Sequence, residues 1–135
     1  MQFTLAMVLI ALQGAGVLSV SIETQCGKLG VNDVDRSNLG PDVDPNNIRP
    51  CKEHPEAAAA NPNSLTERAC YLEKTVGCSI GGYCFKQCDP TVPGAWCWTA
   101  QNAGLGHWVT CTVDADCTVA QSCGVGTCDA CGCSC

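Results

Sequence analysis

The side chains with the most chemistry in them are thiols. The chain has 135 residues and 14 are cysteine: Cys26, Cys51, Cys70, Cys78, Cys84, Cys88, Cys97, Cys111, Cys117, Cys123, Cys128, Cys131, Cys133 and Cys135. Seven of them fall in residues 111–135, CTVDADCTVAQSCGVGTCDACGCSC, which contain no Trp, Phe, Tyr, Leu, Ile or Met. Such a segment cannot bury enough apolar surface to offset the entropy of ordering itself. Covalent or metal bonds must hold it.

Three chemistries compete. Cys128-x2-Cys131-x-Cys133-x-Cys135 has a spacing at which thiolates can wrap Zn²⁺ or Cu⁺. Cys128-x2-Cys131 alone matches a redox dithiol, but that needs a helix N-terminus in a thioredoxin-type frame, and the sequence shows neither. The third is a disulfide scaffold.

The other end of the chain bears on the choice. Residues 1–21 carry no charged side chain, and FTLAMVLIAL (3–12) is an unbroken apolar run followed by Gly14, Ala15, Gly16, Ser19 and Ser21. This has the form of a secretory signal peptide, with cleavage expected between 16 and 21. The run is too short to span a bilayer, which needs about 20 apolar residues. Export to an oxidising compartment favours disulfides, up to seven, over bound metal. We therefore expect all 14 cysteines to be bridged, with no metal and no cofactor. Connectivity stays open, because 14 cysteines allow on the order of 10⁵ full pairings.

The elements that must position these thiols are few. Residues 22–62 read as a polar arm rich in Pro, Asp and Asn, which only Cys26 and Cys51 can pin. A short helix can start with Pro55 at its first position and stop at Asn61-Pro62. Residues 64–77 read as the clearest helix, with Ser64 and Glu67 as a capping box, Leu65, Ala69, Leu72 and Val76 on one face, and Gly77 as the stop. Every aromatic residue of the exported part lies between Tyr71 and Trp108, so the core must be built there. Three β-like runs follow: 83–85, 95–100 and 107–113, the last two forming a hairpin through 101–106. In the second, Trp96 and Trp98 share a face and Cys97 points the other way. The fold class expected is small, disulfide-rich, loop-rich α+β, with one short helix and a small antiparallel sheet. The domain plan is 1–21 signal peptide, 22–62 arm and 63–135 stapled domain.

Other chemistry finds weaker support. Asp33, Asp35, Ser37, Asn38 and Asp44 resemble the start of a calcium loop, but Asn38 stands where Gly is usual and Asp44 replaces the bidentate Glu, so a solvated acidic loop is expected. The histidines are His54 and His107. His107 could find Ser79, Thr99 or Asp114 nearby, yet no nucleophile-elbow or metalloprotease pattern is present, and no enzyme is expected. Tyr83, Trp96, Trp98 and Trp108 are candidates for a binding surface, with at least two of the tryptophans expected in the core. Net charge is −6, and no Lys or Arg follows Lys86. That argues against nucleic acid as a partner. A monomer is expected, binding a protein or glycan target outside the cell.

The stretch GYCFKQC…WCWTA…GHWVTC…DADC…CDACGCSC, residues 82–135, resembles small secreted cysteine-rich proteins of filamentous ascomycete fungi. The resemblance implies a candidate effector acting on a host from the extracellular space in virulence. It carries over no site residues. A toxin (antimicrobial or killer-type), a protease inhibitor presenting 89–94 or 101–106, and a metal-binding protein are the alternatives.

Overall fold

A computed structural model of the chain describes residues 20–56 and 71–125. Among them are one short helix, α1 (Ile22–Cys26), and a four-stranded antiparallel sheet in the order β1 (Val76–Cys78), β2 (Cys84–Gln87), β3 (Trp96–Ala100), β4 (Ser122–Cys123). Turns and four single-turn 3-10 segments make up much of the rest. The fold class is small, loop-rich α+β, held by disulfides. No helix among the described residues is long and apolar enough to cross a membrane.

The sheet's two faces follow from strand alternation. Register pairs Gly77 with Phe85, Phe85 with Trp98, and Gln87 with Trp96, so the aromatic rings collect on one face. The same register pairs Cys78 with Cys84, Lys86 with Cys97, and Thr99 with Cys123, so the sulfurs collect on the other. Cys97 does point away from Trp96 and Trp98. The bridges Cys78–Cys111, Cys84–Cys117 and Cys97–Cys123 tie the first half of the cysteine-rich tail onto the strands. Cys88 is also bonded, and its partner lies outside the described residues.

The expected hairpin closes, but briefly. Gln101 N–H donates to His107 O at 2.9 Å and Val109 N–H to Thr99 O at 3.0 Å. Only Ala100 and Trp108 form a bridge, because Cys84 N–H then takes Val109 O and Thr110 turns to pair with Tyr83. The returning segment thus wedges between the start of β2 and the end of β3. The turn relies on Asn102 and Ala103, both at φ 52°, and on Gly104 at φ 92°. A Cβ on Gly104 would collide with the Cys123 carbonyl oxygen.

The helix expected at 64–77 is corrected where it can be seen. Residues 64–70 lie outside the described residues. Residues 71–75 are not helical and Val76 enters β1. Of the apolar positions that suggested a helical stripe, Leu72 is exposed outside any element and Val76 serves a strand; the Gly77–Phe85 pairing brings a ring within contact of the glycine, where any side chain would intrude. Among the described residues, α1 lies in the arm, with Ser21 accepting from Thr24 N–H at its N-terminus. A helical turn does start at Pro55.

β1 is an edge strand, and Asp114 covers it. One carboxylate oxygen accepts from Cys78 N–H at 2.8 Å and the other pairs with Lys74 Nζ at 2.5 Å. Both contacts favour the ionised form, the backbone donor first, so the Asp114 carboxyl is held below its ordinary 3.8. A depressed carboxyl stabilises the fold above its unfolded value, and that contribution disappears as pH falls through the folded value. Asp114→Asn should therefore be less stable than the native chain at about pH 7, with the deficit closing near pH 2. Urea midpoints at the two pH values check this. A deficit that persists in acid would assign the effect to packing rather than charge.

Candidate functional site

The four residues singled out as a binding surface meet in space, but three of them surround a side chain of the arm. His54 is 2% exposed, the largest fully buried side chain among the described residues. Its ring stacks parallel on Trp98, centroids 4.1 Å apart at 6°. Tyr83 and Trp108 meet it edge-on at 4.5 and 4.8 Å. Nδ1 accepts from Glu56 N–H at 3.1 Å, so the imidazole caps the helical turn that starts at Pro55. Trp98 is buried at 8%, while Trp96, Trp108 and Tyr83 are half-buried. Trp96 and Trp98 share a face, as expected. They differ in burial because His54 covers only Trp98.

Beside this cage sits Arg49, 3% exposed. Its guanidinium lies 4.0 Å over the Trp108 ring. It donates to Gly104 O at 2.5 Å, to Gly106 O at 3.2 Å and to Val125 O. Its own N–H donates to Leu105 O at 2.9 Å. Burial pulls the guanidinium down to about 10, opposed by Glu53, which leaves it charged at neutral pH. Asn102 adds a second clamp, donating to Asp44 O and Asn47 O and accepting from Asp44 N–H.

These contacts correct the expected tether. Cys26 and Cys51 bond to each other. They are the only cysteines of the arm, so no disulfide joins it to the sheet. Arg49, His54 and the Asn102 clamp hold it instead. Sequence reasoning missed Arg49, since a lone arginine in a polar stretch reads as solvated. The available hint was its place beside Pro50-Cys51, where a disulfide fixes the backbone.

On the aromatic face a groove remains open. Tyr71, Phe85, Trp96 and Trp98 line it, with Lys74, Ser79 and Ile80 at its edge, around a volume of about 420 Å³. The rings pack edge-to-face: Tyr71–Phe85 at 5.2 Å, Phe85–Trp96 at 6.0 Å and Trp96–Trp98 at 4.9 Å. Ile80, on the turn between β1 and β2, is fully exposed. Tyr71 and Phe85 were absent from the expected surface, because their contact depends on the β1–β2 register.

The other candidates resolve plainly. Asp35 accepts from both the N–H and the hydroxyl of Ser37, and Asp44 from Asn46 N–H, so each carboxylate closes its own turn. Two groups of three bring potential ligand atoms within 4.8 Å among the described residues: Cys84, Cys111 and Cys117, and Cys88, Cys97 and Cys123. All six are disulfide-bonded. Ser79 donates to Glu56, Thr99 to Cys84 O and Gln121, and Asp114 holds β1, while His107 is exposed. Of the two loops considered for inhibition, 101–106 is engaged by the arm at Asn102 and Gly104–Gly106 while Gln101 and Ala103 stay exposed, and residues 90–93 are exposed between Cys88 and Cys97.

No protein-family model, no curated protein and no solved structure matches this chain.

Proposed function

We propose that the protein is a secreted, effector-like molecule that acts by binding, without catalysis, on a host or extracellular target, in the manner of the ascomycete proteins it resembles. The observation that carries this reading is the open aromatic groove flanked by the fully exposed Ile80. Rigid aromatic rings at a concave surface supply contact area at low entropic cost, and such residues dominate binding energies. The disulfide face behind the groove keeps the strands in place, so little ordering accompanies binding.

The test is a pull-down from host extracellular fluid with the mature chain, beside Trp96→Ala and Ile80→Asp. A central aromatic anchor contributes about 2 kcal/mol or more, or roughly 30-fold in affinity. Both variants should lose the captured partner while keeping the native far-UV spectrum. Equal retention by wild type and both variants would remove the groove from the reading.

A further inference from the structure

We infer that the bridge Cys78–Cys111 is a thiol-exchange site: an external thiol takes Cys78, and the Cys111 thiolate that leaves opens the buried bridge Cys84–Cys117. This goes beyond the binding reading and does not depend on it.

Three observations combine. First, Cys78 and Cys111 are both half-buried, and Cys78 ends the edge strand β1 and lines the margin of the groove. Second, the neighbouring bridge is closed to solvent, with Cys84 at 0% and Cys117 at 5% exposure. Third, Cys111 Sγ lies within 4.8 Å of both Cys84 Sγ and Cys117 Sγ. A thiol in solution can reach the outer bridge and not the inner one. Cys111 connects the two, and its packing against two further sulfurs leaves Cys78 as the open end.

The backbone explains this grouping. Register sets Cys78 opposite Cys84. Cys111 N–H donates to Gly82 O at 2.9 Å, which holds residue 111 against the turn that precedes β2. The Asp116 carboxylate accepts from Thr112 and Val113 N–H and so brings Cys117 back beside Cys111.

The chemistry is two exchanges. A thiolate attacks Cys78 Sγ and bonds to it; the Cys78–Cys111 bond breaks and its electron pair leaves on Cys111 Sγ. The Cys111 thiolate then attacks one sulfur of Cys84–Cys117, bonds to it, and expels the other as a thiolate. The numbers of disulfides and thiols do not change, and the proton lost by the incoming thiol is regained by the last one. The second exchange is intramolecular between sulfurs that are already neighbours, so it outruns another attack from solution. Either product gives up the Cys84–Cys117 staple. A reducing environment therefore loosens the buried part of the sulfur face by way of a surface bridge.

The test treats the folded mature chain with limiting reduced glutathione, traps free thiols with N-ethylmaleimide in mild acid, and maps linked peptides by mass spectrometry. Glutathione should sit on Cys78, Cys111 should be bridged to Cys84 or Cys117, and the label should be on whichever of that pair is left over. In Cys111→Ser the internal nucleophile is gone, and labelling of Cys84 and Cys117 should be lost. Cys78→Ser frees the Cys111 thiol without any reductant, and the same new bridge from Cys111 should form. The native-chain map decides the matter even where a variant fails to fold. The inference is overturned if Cys111 carries the label while Cys84–Cys117 stays intact, if glutathione sits on Cys111, or if Cys111→Ser leaves labelling of Cys84 and Cys117 unchanged.

Discussion

Replacing Arg49 with Met detaches the arm. The side chain keeps its bulk over Trp108 but loses three carbonyl hydrogen bonds from a charged donor, each contributing about 1.5–3 kcal/mol. The Gly104, Gly106 and Val125 carbonyls are then left to find water. A net loss of about 3–5 kcal/mol in docking is expected, enough to leave the arm largely undocked. Trypsin should cut Arg36 and Lys28 faster in Arg49→Met, while amide protection of β2 and β3 stays close to that of the native chain. If the sheet amides weaken equally, arm and sheet form one cooperative unit and the non-covalent tether is a misreading.

Among the described bridges, the largest covalent effect is expected at Cys84–Cys117. Cys84 is fully buried and Cys117 nearly so, and the bridge closes a 33-residue separation. Loop-closure entropy for that length is about 4 kcal/mol. The paired substitution Cys84→Ala and Cys117→Ala also removes two buried sulfurs beside Thr99 and leaves a cavity. A loss of about 4–6 kcal/mol should bring this domain to the edge of unfolding. Removing Cys26–Cys51 closes no loop of the sheet and should loosen only the arm. Denaturation followed by tryptophan fluorescence separates the two. Equal midpoint shifts for both pairs would contradict the independence of arm and sheet.

Parts of the site were legible in the residues themselves. The pattern Trp96-Cys97-Trp98 on an extended backbone forces rings to one side and sulfur to the other, and the sheet has that division. Asp116 stands directly before Cys117, and its carboxylate closes a turn by accepting from Thr112 and Val113 N–H. The hairpin through 101–106 was also visible, although its second strand diverts after Trp108. The misreading at 71–77 has a definite cause. Apolar residues spaced by three and four fit a helical stripe, but Val76-Gly77-Cys78 is claimed by pairing with Cys84–Gln87 through contacts no local pattern records.

By itself the sequence determined composition-level facts: too few large apolar residues for an unaided core, rings confined to the middle of the chain, sulfur distributed to staple them, and an acidic balance unsuited to anionic partners. The tertiary structure decided the four described pairings of the thiols, and what filled the cage of Tyr83, Trp98 and Trp108. Those rings make an apolar hole whose geometry exists only after β2, β3 and the 107–110 segment are in register. His54 fills it from a segment whose sequence looks solvated, and Arg49 lies beside it over Trp108, its guanidinium donating to the Gly104 and Gly106 carbonyls of the distant turn. Burial of the Arg49 guanidinium depends on carbonyls brought together across the chain, and no local pattern records them.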